Sequence, residues 1–150
     1  MPLNEMAARA ITDKLPKKID AKTHAFFDYG TAAVCFAIGA MCWGRNKRAS
    51  IGAMLCGSAI VATSMITDYP GGVKKLLTFQ THGKVDAGLA AMTAAIPNFL
   101  AFSNEEEAKY FRGLALAETV IAGLTDFDSA QSSKVIEMPQ RGDWTSAEAY

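Results

Sequence analysis

Apolar residues gather into four long blocks, residues 29–44, 49–67, 87–103 and 113–125, separated by short polar punctuation. The first three hold no charged side chain, and the fourth holds one, Glu118. An amphipathic helix in water keeps a polar stripe along its exposed side. A segment such as 49–67, with no charge at all, therefore predicts a helix surrounded by lipid or wholly buried in protein. Crossing a hydrocarbon core takes roughly 20 residues, a length the blocks approach once flanking His, Asp, Tyr and Trp are drawn into the helix ends. The pattern predicts an all-α fold, a bundle of four transmembrane helices. Small side chains are frequent in the blocks, as in Gly52-Ala53-x-x-x-Gly57-Ser58, and let helix backbones approach closely in lipid. Pro97 should bend the third helix, because it removes a backbone hydrogen bond and crowds the preceding turn. Residues 44–48 and 104–107 read as hairpin turns, and Pro70-Gly71-Gly72 ends the second helix and starts a linker.

The polar positions that flank the blocks recur. Thr23-His24-x-x-x-Asp28 returns as Thr81-His82-x-x-x-Asp86, and Thr67-Asp68-Tyr69 as Thr125-Asp126-Phe127, each displaced by 58 residues. Gly30/Gly88, Ala32/Ala90, Ile38/Ile96 and Asn46/Asn104 keep the same spacing. A period of this size is usually one supersecondary unit, here a helical hairpin. Two tandem, pseudo-twofold-related hairpins, residues 20–69 and 78–127, would make a membrane domain at 20–127. An arm at 1–19 precedes it, in which Asn4 caps a short amphipathic helix that Pro16 ends. A polar, extended tail, 128–150, follows.

Composition narrows the functional classes. Half of the 150 residues are hydrophobic, a fifth are charged, and the formal net charge is zero, so the basic footprint that nucleic-acid phosphates require is missing. Cys35, Cys42 and Cys56 lie inside apolar blocks, form no C-x-x-C pair and are odd in number, which predicts buried free thiols rather than disulfides or a zinc cluster. The N-terminus lacks the apolar stretch and small-residue cleavage site of a secretory signal. Lys14, Lys17, Lys18 and Lys22 form a basic collar suited to anionic headgroups. Ten Lys and Arg fall in the arm, linker and tail against five in the hairpin turns, which places both termini in the cytoplasm of a multi-pass inner (plasma) membrane protein.

Candidate chemistry concentrates at one rim. Four spans bring the starts of the first and third helices and the ends of the second and fourth to one side, gathering His24, Asp28, Asp68, His82, Asp86 and Asp126. The four Asp form a structural polar cluster in this reading, with Thr23 and Thr81 capping helices and each His bridging to the Asp that ends its hairpin partner. As a site, His24 and His82 are candidates to bind haem or a chlorin axially. No metal set is predicted, because metal sites usually bring three or four ligands at closer spacing. Glu118, the one acidic group at membrane depth, prompts a proton- or cation-handling hypothesis by its cost there. Asn98 is its expected partner across helices. No nucleophile–base motif such as G-x-S-x-G is present, so no catalytic residue and no enzyme activity is expected.

The stretch Thr67-Asp68-Tyr69-Pro70-Gly71-Gly72-Val73-Lys74-Lys75-Leu76, then Thr81-His82-x-x-x-Asp86, then Ala95-Ile96-Pro97-Asn98-Phe99-Leu100-Ala101-Phe102, resembles the SPW-repeat family of small bacterial four-helix integral membrane proteins. The likeness covers roughly His24 to Asp126. It departs at the naming motif, where Ile96-Pro97-Asn98 keeps only the Pro and the first copy reads Ile38-Gly39-Ala40. The resemblance implies membrane topology and duplication and supplies no chemistry. The expected function is a small membrane accessory or scaffold subunit, packed against a larger membrane complex or a copy of itself, without a required cofactor. The alternative is a cofactor- or ion-handling protein that holds haem, chlorin or quinone near His24 and His82, or passes protons through Glu118.

Overall fold

The computed structural model describes residues 16–129. Four helices follow in order, α1 Ala21–Cys42, α2 Lys47–Ile66, α3 Phe79–Phe99 and α4 Ala108–Leu124. The predicted Asn4–Leu15 helix and nearly all of the 128–150 tail lie outside the described residues. No strand is formed among the described residues, apart from isolated bridges.

Each of the first three helices starts where a side chain accepts a backbone N–H that the helix cannot satisfy. Asp20 takes the Thr23 N–H at 2.8 Å, Asn46 that of Ala49 at 3.1 Å, and Thr78 that of Thr81 at 3.2 Å. Thr23 and Thr81, expected as caps, are instead the capped residues. A cap must stand three positions before the amide it receives, so the helices begin a turn earlier. α4 starts at Glu107 without a side-chain cap.

α1 packs on α2 and α3 on α4 as antiparallel hairpins, and small residues set how closely. A methyl group built on Gly57 would lie 3.1 Å from Cys35 Cβ and 3.2 Å from the Ala32 carbonyl oxygen. Ala32, Cys35, Ala49, Ala53, Cys56 and Ala108 fill the centre, capped by the edge-on rings of Phe102 and Phe111. All three thiols are free and buried, as expected.

Pro97, expected to bend the third helix, lies in the last turn of α3. A Schellman closure follows: the Phe102 N–H reaches the Pro97 carbonyl at 2.8 Å, the Ala101 N–H reaches that of Asn98 at 3.2 Å, and Ala101 takes the left-handed φ of 57°.

Two sets of contacts hold the hairpins to each other at their ends. At one end Ile19 bridges to Thr125 and Leu77 to Thr67. Lys18 and Ile19 both donate to the Leu124 carbonyl, and 58 residues on, Leu76 and Leu77 both donate to that of Ile66. The lead into each hairpin thus pairs with the close of the other. At the opposite end the basic first turn meets the acidic second turn, where Asn46 donates to Glu105 and Glu107, and Arg48 donates to Glu105 and to the Ala101 carbonyl.

Around this interior many large apolar side chains face outward. Phe26, Met41, Trp43, Leu55, Phe99 and Leu116 are each more than half exposed. Two of the helices, α1 and α2, are long and apolar enough to cross a membrane. α4 has 17 residues, and α3 carries Lys84 and Asp86 near its start.

Candidate functional site

His24 and Asp28 stand four residues apart on α1, and His82 and Asp86 four apart on α3, so each pair projects from one face of its helix. The ends of the hairpins bring the two faces together. His24 Nε2 lies 2.9 Å from Asp86 Oδ2 and 3.3 Å from Asp28 Oδ1. His82 Nε2 lies 3.1 Å from Asp28 Oδ2 and 3.2 Å from Asp86 Oδ1. The four side chains form a ring in which each carboxylate turns one oxygen to each imidazole. The imidazole rings meet edge to face with centroids 5.3 Å apart. His24 is 1% exposed and His82 0%.

The far nitrogen of each ring is anchored identically. Thr67 Oγ1 donates to the Thr63 carbonyl at 2.7 Å, and Thr125 Oγ1 donates to that of Ile121 at 2.7 Å. With its one proton so committed, each hydroxyl can only accept. His82 Nδ1–H therefore donates to Thr67 Oγ1 and His24 Nδ1–H to Thr125 Oγ1, both at 2.8 Å. Both rings therefore carry a proton on Nδ1 and aim Nε2 at the carboxylates, which without a metal requires Nε2–H as well, that is, imidazolium.

The two halves differ around the carboxylates. Asp28 Oδ2 accepts the Tyr69 hydroxyl at 2.8 Å and that of Ser64 at 3.1 Å. The corresponding positions beside Asp86 are Phe127 and Ala122, which have no donor to offer. Burial holds the Tyr69 phenol above its ordinary range, so it remains a proton donor to Asp28. Phe79, Tyr69 and Phe127 pack around the imidazoles and seal the outer end. On the inner side lies a cavity of about 30 Å³ lined by His24, Asp28, Asp86 and Glu118, the space of about one water molecule or a small ion.

Several expected partners are placed elsewhere. Asp68 and Asp126 do not join the ring: Asp68 pairs with Lys75 at 3.2 Å, and Asp126 Oδ1 accepts the Asp128 N–H at 3.1 Å. The residue before each, Thr67 or Thr125, makes the contact with His, because both helices end at the preceding residue and only the Thr still points inward. The anchor also crosses between repeats, from His24 to the end of α4 and from His82 to the end of α2. Glu118 and Asn98 do not meet. Asn98 is exposed near the end of α3, and Glu118 faces Thr93 at 3.4 Å. Five residues separate Thr93 from Asn98, about 7.5 Å of helix, too far for one carboxylate to bridge. The convergence of four ligand-type groups also removes the reason for expecting no metal set, since the closeness arises from docking rather than from sequence spacing. Ser64 and Thr93 gave no signal in the sequence beyond being polar residues inside apolar blocks.

No protein-family model, curated protein or solved structure matches this chain.

Proposed function

We propose that this protein is a small integral membrane protein of four spans, an accessory or scaffold subunit without catalysis of its own. The observation that supports this reading is that many polar side chains are buried while many large apolar ones lie on the outside. His24, His82, Asp28, Ser50, Ser64, Thr93 and Thr125 are buried, while Phe26, Met41, Leu55, Phe99 and Leu116 face outward. Water would penalise such an exterior, whereas lipid solvates it at no cost and leaves the polar interior to be satisfied by side chains of the bundle. α3 and α4 join the two apolar helices as spans in this proposal, with Lys84 and Asp86 at the rim, and the excess of basic residues orients both termini to the cytoplasm.

The accessory role rests on the outer face between α3 and α4. A groove of about 730 Å³ runs there, lined by Ala87, Ala91, Ala94, Ala115 and Gly123 among others. Small residues along a groove admit the backbone of a neighbouring helix, and a subunit of a larger complex or a second copy would supply one. Fractionation of cells followed by purification in mild detergent tests both steps. The protein should sediment with membranes and elute with a partner or as an oligomer. Recovery in the supernatant would refute the membrane reading, and a lone monomer from native membranes would refute the subunit reading.

A second reading, cation or proton handling, is favoured by the cavity that joins Glu118 to His24, Asp28 and Asp86. Glu118→Gln in liposomes should abolish any flux that the wild-type protein supports. The pigment version is less well supported, since the carboxyl groups of Asp28 and Asp86 occupy the space between the imidazoles that a macrocycle would need. An absorption band that disappears in His24→Ala and His82→Ala would restore it.

A further inference from the structure

The ring of His24, Asp28, His82 and Asp86 has the composition of a divalent metal site and approaches its dimensions. One ligand atom from each residue can be chosen so that all four lie within 4.8 Å of one another. Zinc binds imidazole nitrogen and carboxylate oxygen at about 2.0–2.2 Å, so a tetrahedral ion needs ligand atoms roughly 3.3–3.5 Å apart. The closest nitrogen–oxygen approaches, 2.9, 3.3, 3.1 and 3.2 Å, use both oxygens of each carboxylate; with one oxygen from each Asp the set spans up to 4.8 Å, and rotation of the carboxyl groups would have to draw it in by roughly 1–1.5 Å to close on the ion.

Three further observations favour a cation over a plain ion-pair ring. His82 Nε2 is fully buried and makes a hydrogen bond with neither carboxylate, although oxygens of both lie 3.1 and 3.2 Å away. It points between them, into the centre of the ring. Both imidazoles present Nε2 because a threonine oxygen holds Nδ1–H, the outer-sphere arrangement that orients metal-bound histidines. A divalent cation with two carboxylates and two neutral imidazoles also carries no net charge, whereas two carboxylates facing each other in an apolar bundle otherwise require two imidazolium ions.

We propose that these four residues bind one divalent transition-metal ion of the zinc type, and that the ion staples the first hairpin to the second. Each hairpin contributes one His and one Asp, so neither holds the site alone. Four protein ligands close the coordination sphere, which marks a structural centre rather than a hydrolytic one. The site stands whether or not the protein serves as an accessory subunit.

The test uses the full chain in mild detergent, stripped with a chelator and then given Zn²⁺ or, as a spectroscopic probe, Co²⁺. The wild-type protein should retain a single ion per chain through gel filtration, melt at a higher temperature with Zn²⁺ than with chelator, and show the visible absorption of tetrahedral Co²⁺. His82→Gln and Asp86→Asn should lose both the ion and the thermal shift. Thr125→Val, outside the ligand set, should fold and bind roughly 10–100-fold more weakly. A wild-type protein that retains no ion and melts identically with Zn²⁺ and with chelator would overturn the proposal, as would undiminished binding by His82→Gln and Asp86→Asn. If those variants do not fold, the wild-type Co²⁺ spectrum decides, and its absence counts against the site.

Discussion

Thr67→Val isolates the anchor of one imidazole. Valine has nearly the shape of threonine, and Thr67 is 0% exposed, so the substitution leaves no cavity and removes two hydrogen bonds. His82 Nδ1–H loses its acceptor at 2.8 Å and becomes a buried donor without a partner, a loss of about 1–3 kcal/mol. The Thr63 carbonyl, in the last turn of α2, loses a donor at 2.7 Å, a further ~1 kcal/mol. The gain from an added buried methyl offsets about 0.8 kcal/mol of this. The net destabilisation should be about 1–3 kcal/mol, or roughly 5–150-fold in the unfolding equilibrium. Chelator-treated protein unfolded with denaturing detergent and followed by far-UV circular dichroism measures it without any contribution from metal. Thr67→Ser keeps the hydroxyl and should stay within about 1 kcal/mol of wild type, the loss of one methyl group. Thr125→Val should match Thr67→Val, and the double variant should depart from additivity by at least about 0.5 kcal/mol, since both rings face the same two carboxylates. Thr67→Val within about 0.3 kcal/mol of wild type, or Thr67→Ser as damaging as Thr67→Val, would refute the assignment of the Thr–His hydrogen bond as the element that anchors the ring.

Three other substitutions, and Glu106→Ala as a control, probe the frame around the site. A methyl group on Gly72 would fall 1.8 Å from the Thr67 carbonyl oxygen, a backbone clash, so Gly72→Ala should cost at least about 1–3 kcal/mol and be seen as a lower melting temperature. Ala101 holds a left-handed φ of 57°, and Ala101→Gly should raise stability by about 0.5–1 kcal/mol in the same melt. Asn46 both caps α2 and donates to Glu105 and Glu107 across the opposite end, so Asn46→Ala should destabilise by about 1–2 kcal/mol, whereas Glu106→Ala in the same turn should be near neutral.

How the site could be approached from sequence depends on which residues are compared. The 58-residue offset paired His24 with His82 and Asp28 with Asp86, and four alternating helices placed all of them at one end. Asp68 and Asp126 carried the same repeat signal yet lie outside the ring. A displacement of one residue at the end of a helix turns a side chain by about 100°, and no periodicity in the blocks specifies that last angle. Asn98 lies twelve residues beyond Asp86 and Glu118 eight before Asp126, depths that differ by about a turn of helix, and Thr93 takes the place expected for Asn98.

The order of apolar blocks and the doubled polar signature belong to the chain by itself: they determined four helices, their approximate limits, the small residues between them and the shared end of both histidines. These are consequences of local hydropathy and of backbone geometry, which act within a turn or two. Tertiary structure alone decided that each His would reach the Asp and the Thr of the other hairpin, that Tyr69 and Ser64 would support Asp28 with no counterpart at Asp86, and that the acidic second turn would close on the basic first. Those contacts join residues 15 to 101 positions apart, and they exist only after two helical hairpins have docked at one angle and one depth, quantities set by the summed packing of small side chains rather than by any one stretch.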